Sequence, residues 1–257
     1  MIVNRTKEKL LRGEVVVGPR LDWPDPDLVR AFAELGFDYF RIEGEHGPFT
    51  YPDVDLMVRT AAQFDITPMA RVPANVQPEI LHYLDRGCLG ITVPHVDSRA
   101  SAESAVRAAK HYPLGNRGDA YGVRNRLYGT GLSQEDYFRA CNESVLLIAL
   151  IEDREGLEAI DDIVRVPGID AIDVGPWDLR QSLGCPEAGV LQAACDRIVA
   201  AAVAAGKPVG VGTALNLDKP ELIRYWRERG VTMFFGGEWL AYGVRQGMRV
   251  FRDAAGY

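Results

Sequence analysis

Strand-like apolar segments alternate with amphipathic segments along the whole 257-residue chain. Strands are predicted near residues 14–18, 37–42, 66–71, 88–93, 145–151, 169–174, 208–212 and 231–236. Helices are predicted near residues 25–35, 52–64, 76–86, 98–110, 154–164, 187–205, 218–229 and 238–253. Eight strand-then-helix units in about 250 residues match the repeat count of a (β/α)8 TIM barrel. We therefore predict a single α/β barrel domain over residues 1–257, with a doubly wound sheet as the structural alternative.

One connection is much longer than the others. Residues 111–132 follow the fourth predicted helix and are rich in Gly and Arg, including Gly115, Arg117, Arg124 and Arg126. A long segment without regular structure inside a compact domain is usually a lid or an interface element. We predict one of these two roles for this segment.

The composition argues against several classes of function. The 29 Lys and Arg residues are outnumbered by 36 Asp and Glu residues, so the formal net charge is −7. The sequence has no cluster of Lys and Arg that could bind along a phosphate backbone. Nucleic acid and membrane partners are therefore not expected, and no apolar run approaches the roughly 20 residues that span a bilayer. The start of the chain lacks the apolar core of a signal peptide, and the four cysteines are scattered. These features predict a cytoplasmic protein with reduced thiols.

The second predicted strand ends in a cluster of ionisable residues. Residues 39–49 begin as an apolar strand, break at Gly44, and carry Glu43, Glu45 and His46 into a Gly-Pro turn. Charged groups at a strand tip are costly unless they are paired or used. This segment is therefore the first candidate for a functional site.

Other predicted strands end in residues that complete such a site, because the carboxyl ends of barrel strands form one mouth. Arg71 ends the third strand, Glu152 follows the fifth, and Asp178 lies just beyond Gly175-Pro176 after the sixth. Two converging carboxylates suit a hard divalent cation such as Mg²⁺ or Mn²⁺. The sequence therefore predicts a metal site formed by Glu152 and Asp178.

Each of these residues also has a purely structural interpretation. Glu152 and Asp178 could each cap the helix that they adjoin. Arg71 could form an ion pair with Glu43 or Glu45, or it could hold a substrate carboxylate or a developing enolate. Both readings stay open at the level of the sequence.

Among the histidines, His46 is the functional candidate because it shares its turn with two acids. His95, at the tip of the fourth strand, is a weak candidate. Asp85 ends the third predicted helix, where an acid opposes the helix dipole, so it is a possible partner for His46. None of the five lysines ends a predicted strand on its interior side, which disfavours Schiff-base chemistry.

Five segments stand in order along the chain: Ile42-Glu43-Gly44-Glu45-His46 followed by Pro48, Arg71-Val72-Pro73, Tyr112-Pro113 with Gly115-Asn116-Arg117-Gly118, Ile151-Glu152, and Gly175-Pro176-Trp177-Asp178-Leu179. In this order and spacing they resemble the HpcH/HpaI aldolases, a family of metal-dependent aldolases that use pyruvate. The resemblance covers essentially the whole chain. It implies a (β/α)8 barrel whose subunits pair as dimers by exchanging their C-terminal helices. The dimers would assemble into a homohexamer.

The resemblance also implies roles for individual residues. Glu152 and Asp178 match the metal ligands, with Mg²⁺ or Mn²⁺ as the expected ion and Co²⁺ as a third candidate. His46 and Asp85 match a base dyad, and Arg71 matches an enolate-stabilising arginine.

A further group of residues is implicated in substrate binding. The resemblance places backbone groups of Gly175 and Pro176 near the substrate carboxylate. Glu45, Trp177 and Arg20 are additional substrate-binding candidates, the last two for the aldehyde pocket.

The chain departs from the usual family pattern at five positions. Glu43 stands where aspartate is usual, Leu150 where glutamine is usual, and Arg180 where serine is usual. Asp173 is an acid in a strand that is normally apolar, and Arg20 replaces a common aromatic residue. These departures bear on substrate choice and on the strength of the base.

The sequence therefore predicts a metal-dependent aldolase that reversibly cleaves 4-hydroxy-2-oxo acids to an aldehyde and pyruvate, or a related 2-oxo acid such as hydroxypyruvate. One alternative is a metal-free isomerase that binds a phosphate ester through Gly212-Thr213 and Gly236-Gly237. The other is a non-catalytic relative that binds 2-oxo acids.

Overall fold

The computed structural model describes residues 3–120, 122, 131–212, 216–237 and 239–256. Eight parallel strands form a closed barrel in sequence order, with the last strand pairing to the first. The strands are β1 Val16–Leu21, β2 Tyr39–Glu43, β3 Thr67–Arg71, β4 Gly90–Val93, β5 Leu146–Ile151, β6 Ala171–Val174, β7 Val209–Val211 and β8 Met233–Gly236. The predicted (β/α)8 barrel is confirmed.

Helices surround this barrel and connect its strands. Those in the described ranges are α1 Arg5–Leu11, α2 Pro26–Glu34, α3 Tyr51–Phe64, α4 Gln77–Arg86, α5 Arg99–Ala109, α6 Gln134–Ser144, α7 Arg154–Glu158, α8 Ile160–Ile163, α9 Pro176–Ser182, α10 Ala188–Ala204, α11 Pro220–Glu228 and α12 Trp239–Ala255. Local signals set several boundaries: the Asp25 side chain accepts the N–H groups of Asp27 and Leu28 at the start of α2. At the end of α4, Gly87 adopts a φ of 103°, the left-handed region that favours glycine.

The main differences from the sequence prediction are one strand, one divided helix and two additional helices. The first strand was expected near residues 14–18 but continues through Gly18-Pro19 to Leu21, because this segment pairs with β8 and β2. Gly18 is needed within the strand, since a Cβ there would lie 2.5 Å from the Tyr39 carbonyl oxygen. The helix predicted over 154–164 is divided at Ala159 into α7 and α8. Helices α1 and α6 were not predicted.

Two apolar clusters pack on opposite faces of the barrel wall. The larger lies between the strands and the outer helices and includes Phe40 and Ile42 of β2. The smaller fills the barrel interior and includes Tyr39, Met69 and Leu10, the last contributed by α1. Because side chains alternate along a strand, the interior positions of β2 are Tyr39, Arg41 and Glu43. This alternation brings two charged residues into the upper half of the barrel.

Helix α12 contacts the barrel at its start, where the centres of the Trp239 and Phe37 rings lie 4.9 Å apart, but none of its side chains is fully buried. Leu240, Val244, Met248 and Phe251 recur at helical spacing and are 40 to 65% exposed. None of the helices in the described ranges combines the length and the hydropathy needed to cross a membrane.

Candidate active site

A cavity of about 320 Å³ opens at the carboxyl ends of the strands. Side chains from β1, β2, β3, β5, β6 and β8 line it, as expected for the mouth of such a barrel. Eight of the ten predicted site residues are among the lining residues: Arg20, His46, Arg71, Glu152, Gly175, Pro176, Trp177 and Asp178. Strand tips that are far apart in the sequence therefore meet at one site.

Arg71 is held by two carboxylates. Its Nε donates to both Glu43 oxygens at 2.9 and 3.0 Å, and its Nη2 lies 2.8 Å from Glu43 Oε2. Its Nη1 lies 2.8 Å from Glu45 Oε2. The ion pair that the sequence left open is thus present, and Arg71 also lines the cavity. Burial opposes the charge of Arg71, but the hydrogen bonds and charge of Glu43 outweigh burial and raise the pKa of Arg71 above its usual value.

Glu43 also shapes the turn that carries His46. Its Oε1 accepts the backbone N–H groups of Glu45 and His46 at 3.1 and 3.2 Å. Burial raises the pKa of Glu43, but the hydrogen bonds and charge of Arg71 lower it more, so the net pKa is below its usual value. At Gly44 a Cβ would lie 2.6 Å from the Arg71 carbonyl oxygen, so a side chain cannot be accommodated there. The exposed His46 therefore extends from a turn that the ion-paired Glu43 carboxylate holds in place.

Glu152 is the most deeply buried of the predicted metal ligands. It follows β5 with only 2% of its surface exposed, and its Oε1 accepts the backbone N–H of His95 at 2.9 Å. Burial is the main cause that raises the pKa of Glu152 to about 7, and the neighbouring Glu45 charge acts in the same direction. Gly175 leaves room for this carboxylate, because a Cβ at residue 175 would lie 2.7 Å from Glu152 Oε2.

Asp178 and Trp177 lie in the first turn of α9, which Gly175 and Pro176 begin. Asp178 is half-buried and lines the same cavity as Glu152, whereas Trp177 is 76% exposed at the rim. The two predicted metal carboxylates therefore share one cavity. Within the described ranges, no cluster of three or more His, Cys, Asp or Glu side chains able to hold a metal is present.

The charge around the cavity favours a cation. Arg20 is paired with Asp22, with Nε 2.5 Å from Oδ1. At and beneath the cavity, acids also outnumber the guanidinium groups of Arg41 and Arg71; these acids include Glu43, Glu45, Glu152, Asp173 and Asp178. Oxygen donors with excess negative charge are the donor set that Mg²⁺ and Mn²⁺ prefer, so the residues fit a hard divalent ion.

His95 lies closer to this site than its sequence position suggested. Its Nε2 is 3.6 Å from Glu45 Oε1, and its Nδ1 is 3.6 Å from Glu152 Oε1 and 3.8 Å from Asp153 Oδ2. The backbone of His95 has a φ of 51°, uncommon for a residue with a side chain. The sequence feature that could have indicated a role for His95 is its position after Pro94 at the tip of β4. The neighbouring strands β3 and β5 carry Arg71 and Glu152 at their tips.

The prediction of a His46–Asp85 pair is not met within one chain. Asp85 lies in the last turn of α4, which runs back toward the amino ends of the strands, whereas His46 lies at their carboxyl ends. The Asp85 Oδ1 accepts a hydrogen bond from Arg117 Nη2 at 2.8 Å, and Arg117 is almost fully buried. The unfavourable helix position of Asp85 is therefore explained by Arg117.

Sequence reasoning missed a second buried ion pair directly beneath the cavity. Arg41 Nη1 lies 2.8 Å from Asp173 Oδ2, and the Arg41 guanidinium carbon lies 3.7 Å from the centre of the Phe235 ring. Burial raises the pKa of Asp173 and the charge of Arg41 opposes that rise, with a net pKa above the usual value. The signal was present in β2, where Arg41 alternates with Tyr39 and Glu43 on the interior face.

A second cavity, of about 290 Å³, lies at the opposite end of the barrel near Thr67, Cys88 and Arg117. It contains none of the predicted site residues. The chemistry therefore favours the cavity at the carboxyl ends of the strands as the active site.

The closed parallel barrel, with acids and arginines gathered at the carboxyl ends of its strands, defines a barrel enzyme. The profile of the HpcH/HpaI aldolase/citrate lyase family matches residues 22–240. The 2-keto-3-deoxy-L-rhamnonate aldolase of Escherichia coli O157:H7 is 32% identical over 213 residues, which are 80% of this chain and 79% of that protein.

Solved structures agree with this match over almost the full chain. An HpcH/HpaI aldolase from Desulfitobacterium hafniense DCB-2 superposes with a TM-score of 0.85 at 28% identity, covering 96% of each chain. The citrate synthase SbnG superposes with a TM-score of 0.84 at 29% identity, covering 100% of each chain. The chain belongs to the HpcH/HpaI aldolase/citrate lyase family and is a carbon–carbon lyase of the aldolase type.

Proposed function

We propose that the protein is a metal-dependent aldolase that reversibly cleaves 4-hydroxy-2-oxo acids to an aldehyde and pyruvate, or a related 2-oxo acid. The observation that carries this proposal is the buried Glu152 carboxylate, which shares its cavity with Asp178 and Arg71. A relative named for a 2-keto-3-deoxy sugar acid supports the same substrate class. Family membership and these carboxylates disfavour the metal-free isomerase and the non-catalytic relative; Thr213 of the predicted phosphate loop lies outside the described residues.

Glu152 and Asp178 would hold the divalent ion, Mg²⁺ or Mn²⁺, with Co²⁺ as a third candidate. When bound, the ion supplies Lewis acidity to the keto group of the substrate. Burial is the main cause that raises the pKa of Glu152 to about 7, and a bound cation would favour its ionised form. Gly175 keeps the carboxylate in place, since no larger residue fits against it.

Arg71 stabilises the negative charge that develops on the enolate oxygen. Its guanidinium is pre-organised by Glu43 and Glu45, so little reorganisation is needed when the charge forms. Gly175 and Pro176 border the region of the substrate carboxylate at the start of α9, and Glu45 borders it through Arg71. The Gly175 N–H already donates to the Ile151 carbonyl and proline has no N–H, so these two residues shape the region without donating to the substrate. Trp177 and Arg20 lie at the rim, where an aldehyde enters.

His46 moves the proton between the substrate hydroxyl and solvent. It is exposed at the cavity and its backbone N–H is held by Glu43. Asp85 is not its partner within one chain, so the predicted dyad requires a second subunit to bring Asp85 to the mouth.

The apolar face of α12 supports the proposed assembly, in which dimers exchange this helix within a hexamer. Leu240, Val244, Met248 and Phe251 form an exposed apolar stripe over a 17-residue helix. Such a stripe is typical of a helix that packs against another chain.

The cleavage activity can be tested directly. The protein is incubated with a panel of 4-hydroxy-2-oxo acids prepared from pyruvate and short aldehydes, with Mg²⁺, Mn²⁺ or Co²⁺, and pyruvate release is measured with and without a chelator. We expect metal-dependent pyruvate release that is lost in Glu152→Gln. Release that persists in the chelator, or that is absent with every ion, contradicts the proposal.

A further inference from the structure

Residues from four strands build the Arg41–Asp173 pair into the floor of the cavity. Asp173 of β6 is fully buried, and its Oδ1 accepts the N–H of Val174 at 3.1 Å. Gly210 of β7 makes space for this carboxylate, because a Cβ there would lie 2.9 Å from Asp173 Oδ1. Arg41 of β2 is then held between Asp173 and the Phe235 ring. The guanidinium therefore has a fixed position.

A need for fold stability does not explain this pair. Replacing a buried ion pair by apolar residues of similar volume is often neutral or stabilising, so the pair is not required to fill the barrel. The interior positions just below it on the same strands are Tyr39 and Ala171, which belong to the apolar interior cluster. A costly pair placed where the cavity begins indicates a role in the site.

Arg41 has donors that the fold leaves unused. Nη1 donates to Asp173, whereas Nε is buried without an acceptor and no acceptor for Nη2 is found among the described residues. Arg41 itself lines the cavity, with 5% of its surface exposed. Because Nε is closed off from solvent, Nη2 is the donor that would give a ligand oxygen at the cavity floor a hydrogen bond.

Building on the proposed function, we propose that Arg41 binds a hydroxyl group on C3 of the 2-oxo acid, so that the enzyme prefers a 3-hydroxylated nucleophile, hydroxypyruvate being the smallest, over pyruvate. Arg41 is the specificity-determining residue and Asp173 is a positioning residue that holds it. The proposed function puts the carboxylate of the acid beside Gly175 and Pro176, turns its keto oxygen toward the ion that Glu152 and Asp178 would hold, and lets the aldehyde enter from the solvent side. The remaining substituent of C3 is therefore the part that reaches the floor.

A neutral hydroxyl fits this floor better than a second carboxylate. Asp173 already neutralises Arg41, so a carboxylate would add an uncompensated negative charge next to a buried acid. A hydroxyl oxygen accepts the Arg41 hydrogen bond without adding charge.

The test compares deuterium uptake at C3 of hydroxypyruvate and of pyruvate in D₂O with Mg²⁺, each corrected for uncatalysed exchange. The main variant is the double substitution Arg41→Met with Asp173→Leu, which removes both charges from the interior. We expect the hydroxypyruvate-to-pyruvate ratio of kcat/KM to fall by about ten- to a hundredfold, the effect of one hydrogen bond from a charged donor. A merely structural role would lower both rates equally.

Two further variants complete the design. Arg41→Lys retains the charge but not the planar donor group, so the hydroxypyruvate-to-pyruvate ratio should also fall in this variant. If the double variant does not fold, Arg41→Lys tests the proposal. Lys110→Met is the matched control, because Lys110 is a buried cation 2.9 Å from Asp170 and its removal leaves Lys7 still paired with Asp170. We expect this control to keep the wild-type ratio.

The outcomes separate this inference from the proposed function. If the wild-type enzyme exchanges neither acid, the proposed function fails. If it exchanges both and the ratio is unchanged in the folded Arg41 variants, the proposed function stands and the role of Arg41 is overturned.

Discussion

Glu152 is deeply buried, and among the described residues its one hydrogen bond comes from the His95 N–H; this combination makes metal binding depend on pH. Because the pKa of Glu152 is raised to about 7, the carboxyl is ionised above that pH and protonated below it in the metal-free protein. An incoming ion must therefore displace a proton at lower pH. We expect the apparent Kd for Mg²⁺ to rise about tenfold per pH unit below about pH 7, measured by calorimetric titration.

The control for this prediction is Glu155→Gln, which changes an exposed acid close in sequence and should leave the Kd unchanged. Glu152→Gln should abolish binding while the protein stays folded. A Kd that does not change between about pH 6 and pH 8 would disprove the role of Glu152.

Arg71 forms ion pairs with two carboxylates, so its replacement should affect stability as well as catalysis. Arg71→Met leaves Glu43 and Glu45 buried without their cation, which we expect to lower the free energy of unfolding by about 3–5 kcal/mol. Adding Glu43→Gln removes one of these charges and keeps the acceptor for the N–H groups of Glu45 and His46. The double variant should therefore regain stability in urea denaturation but not activity. Recovery of activity would show that Arg71 has only a structural role.

At the residue scale, the sequence predicted which side chains meet but not how they pair. Strand tips pointed to Arg71, Glu152 and Asp178, because a barrel gathers the carboxyl ends of its strands. The Arg41–Asp173 pair was missed because the sequence does not show which faces of the short strands β2 and β6 point into the barrel. These strands are not neighbours, so the contact appears only in the three-dimensional structure. The Asp85–Arg117 pair was not predicted because Arg117 lies in a connection without regular periodicity, and the pairing of Asp85 with His46 between subunits stays a prediction.

At the scale of elements, the junction of β6 and α9 controls the shape of the metal site. Gly175 lies at the end of the connection from β6. The Glu152 carboxylate occupies the space that a side chain at residue 175 would fill. We expect Gly175→Ala to displace Glu152 and to weaken Mg²⁺ binding by about tenfold or more, as measured by calorimetry. The matched control is Gly189→Ala in α10, where a Cβ meets nothing within 4 Å. That control should leave metal binding unchanged and stabilise the helix by about 0.5–1 kcal/mol. Equal metal affinity in both variants would contradict this account.

The sequence predicted the number of strands better than the ends of the elements. Periodicity identified eight strand-and-helix units, in which Asp25 caps the start of α2 and Gly87 caps the end of α4. Strand β1 was predicted too short because Gly18-Pro19 resembles a turn, although the close approach of Tyr39 is what requires the glycine. Helix α1 was missed because its role, closing the lower end of the barrel with Leu10, follows from tertiary packing.

At the scale of the whole molecule, the exposed apolar stripe of α12 predicts an oligomer. Val244→Glu combined with Met248→Glu places two charges on this stripe, and we expect the assembly to dissociate in light-scattering measurements. Arg249→Glu, on the opposite side of the helix, is the control and should preserve the assembly. A monomeric wild-type protein, or an oligomer that persists with the charged stripe, would disprove the proposed exchange of this helix.

The proposed activity depends on removal of a proton from C3 of a 2-oxo acid to give its enolate, a step for which the bound ion would supply Lewis acidity. Deuterium uptake into the methyl group of pyruvate in D₂O tests this step without knowledge of the aldehyde. With Mg²⁺ or Mn²⁺ we expect uptake that stops on addition of a chelator and is absent in Glu152→Gln. No uptake with any divalent ion, or uptake that the chelator does not affect, would contradict the account.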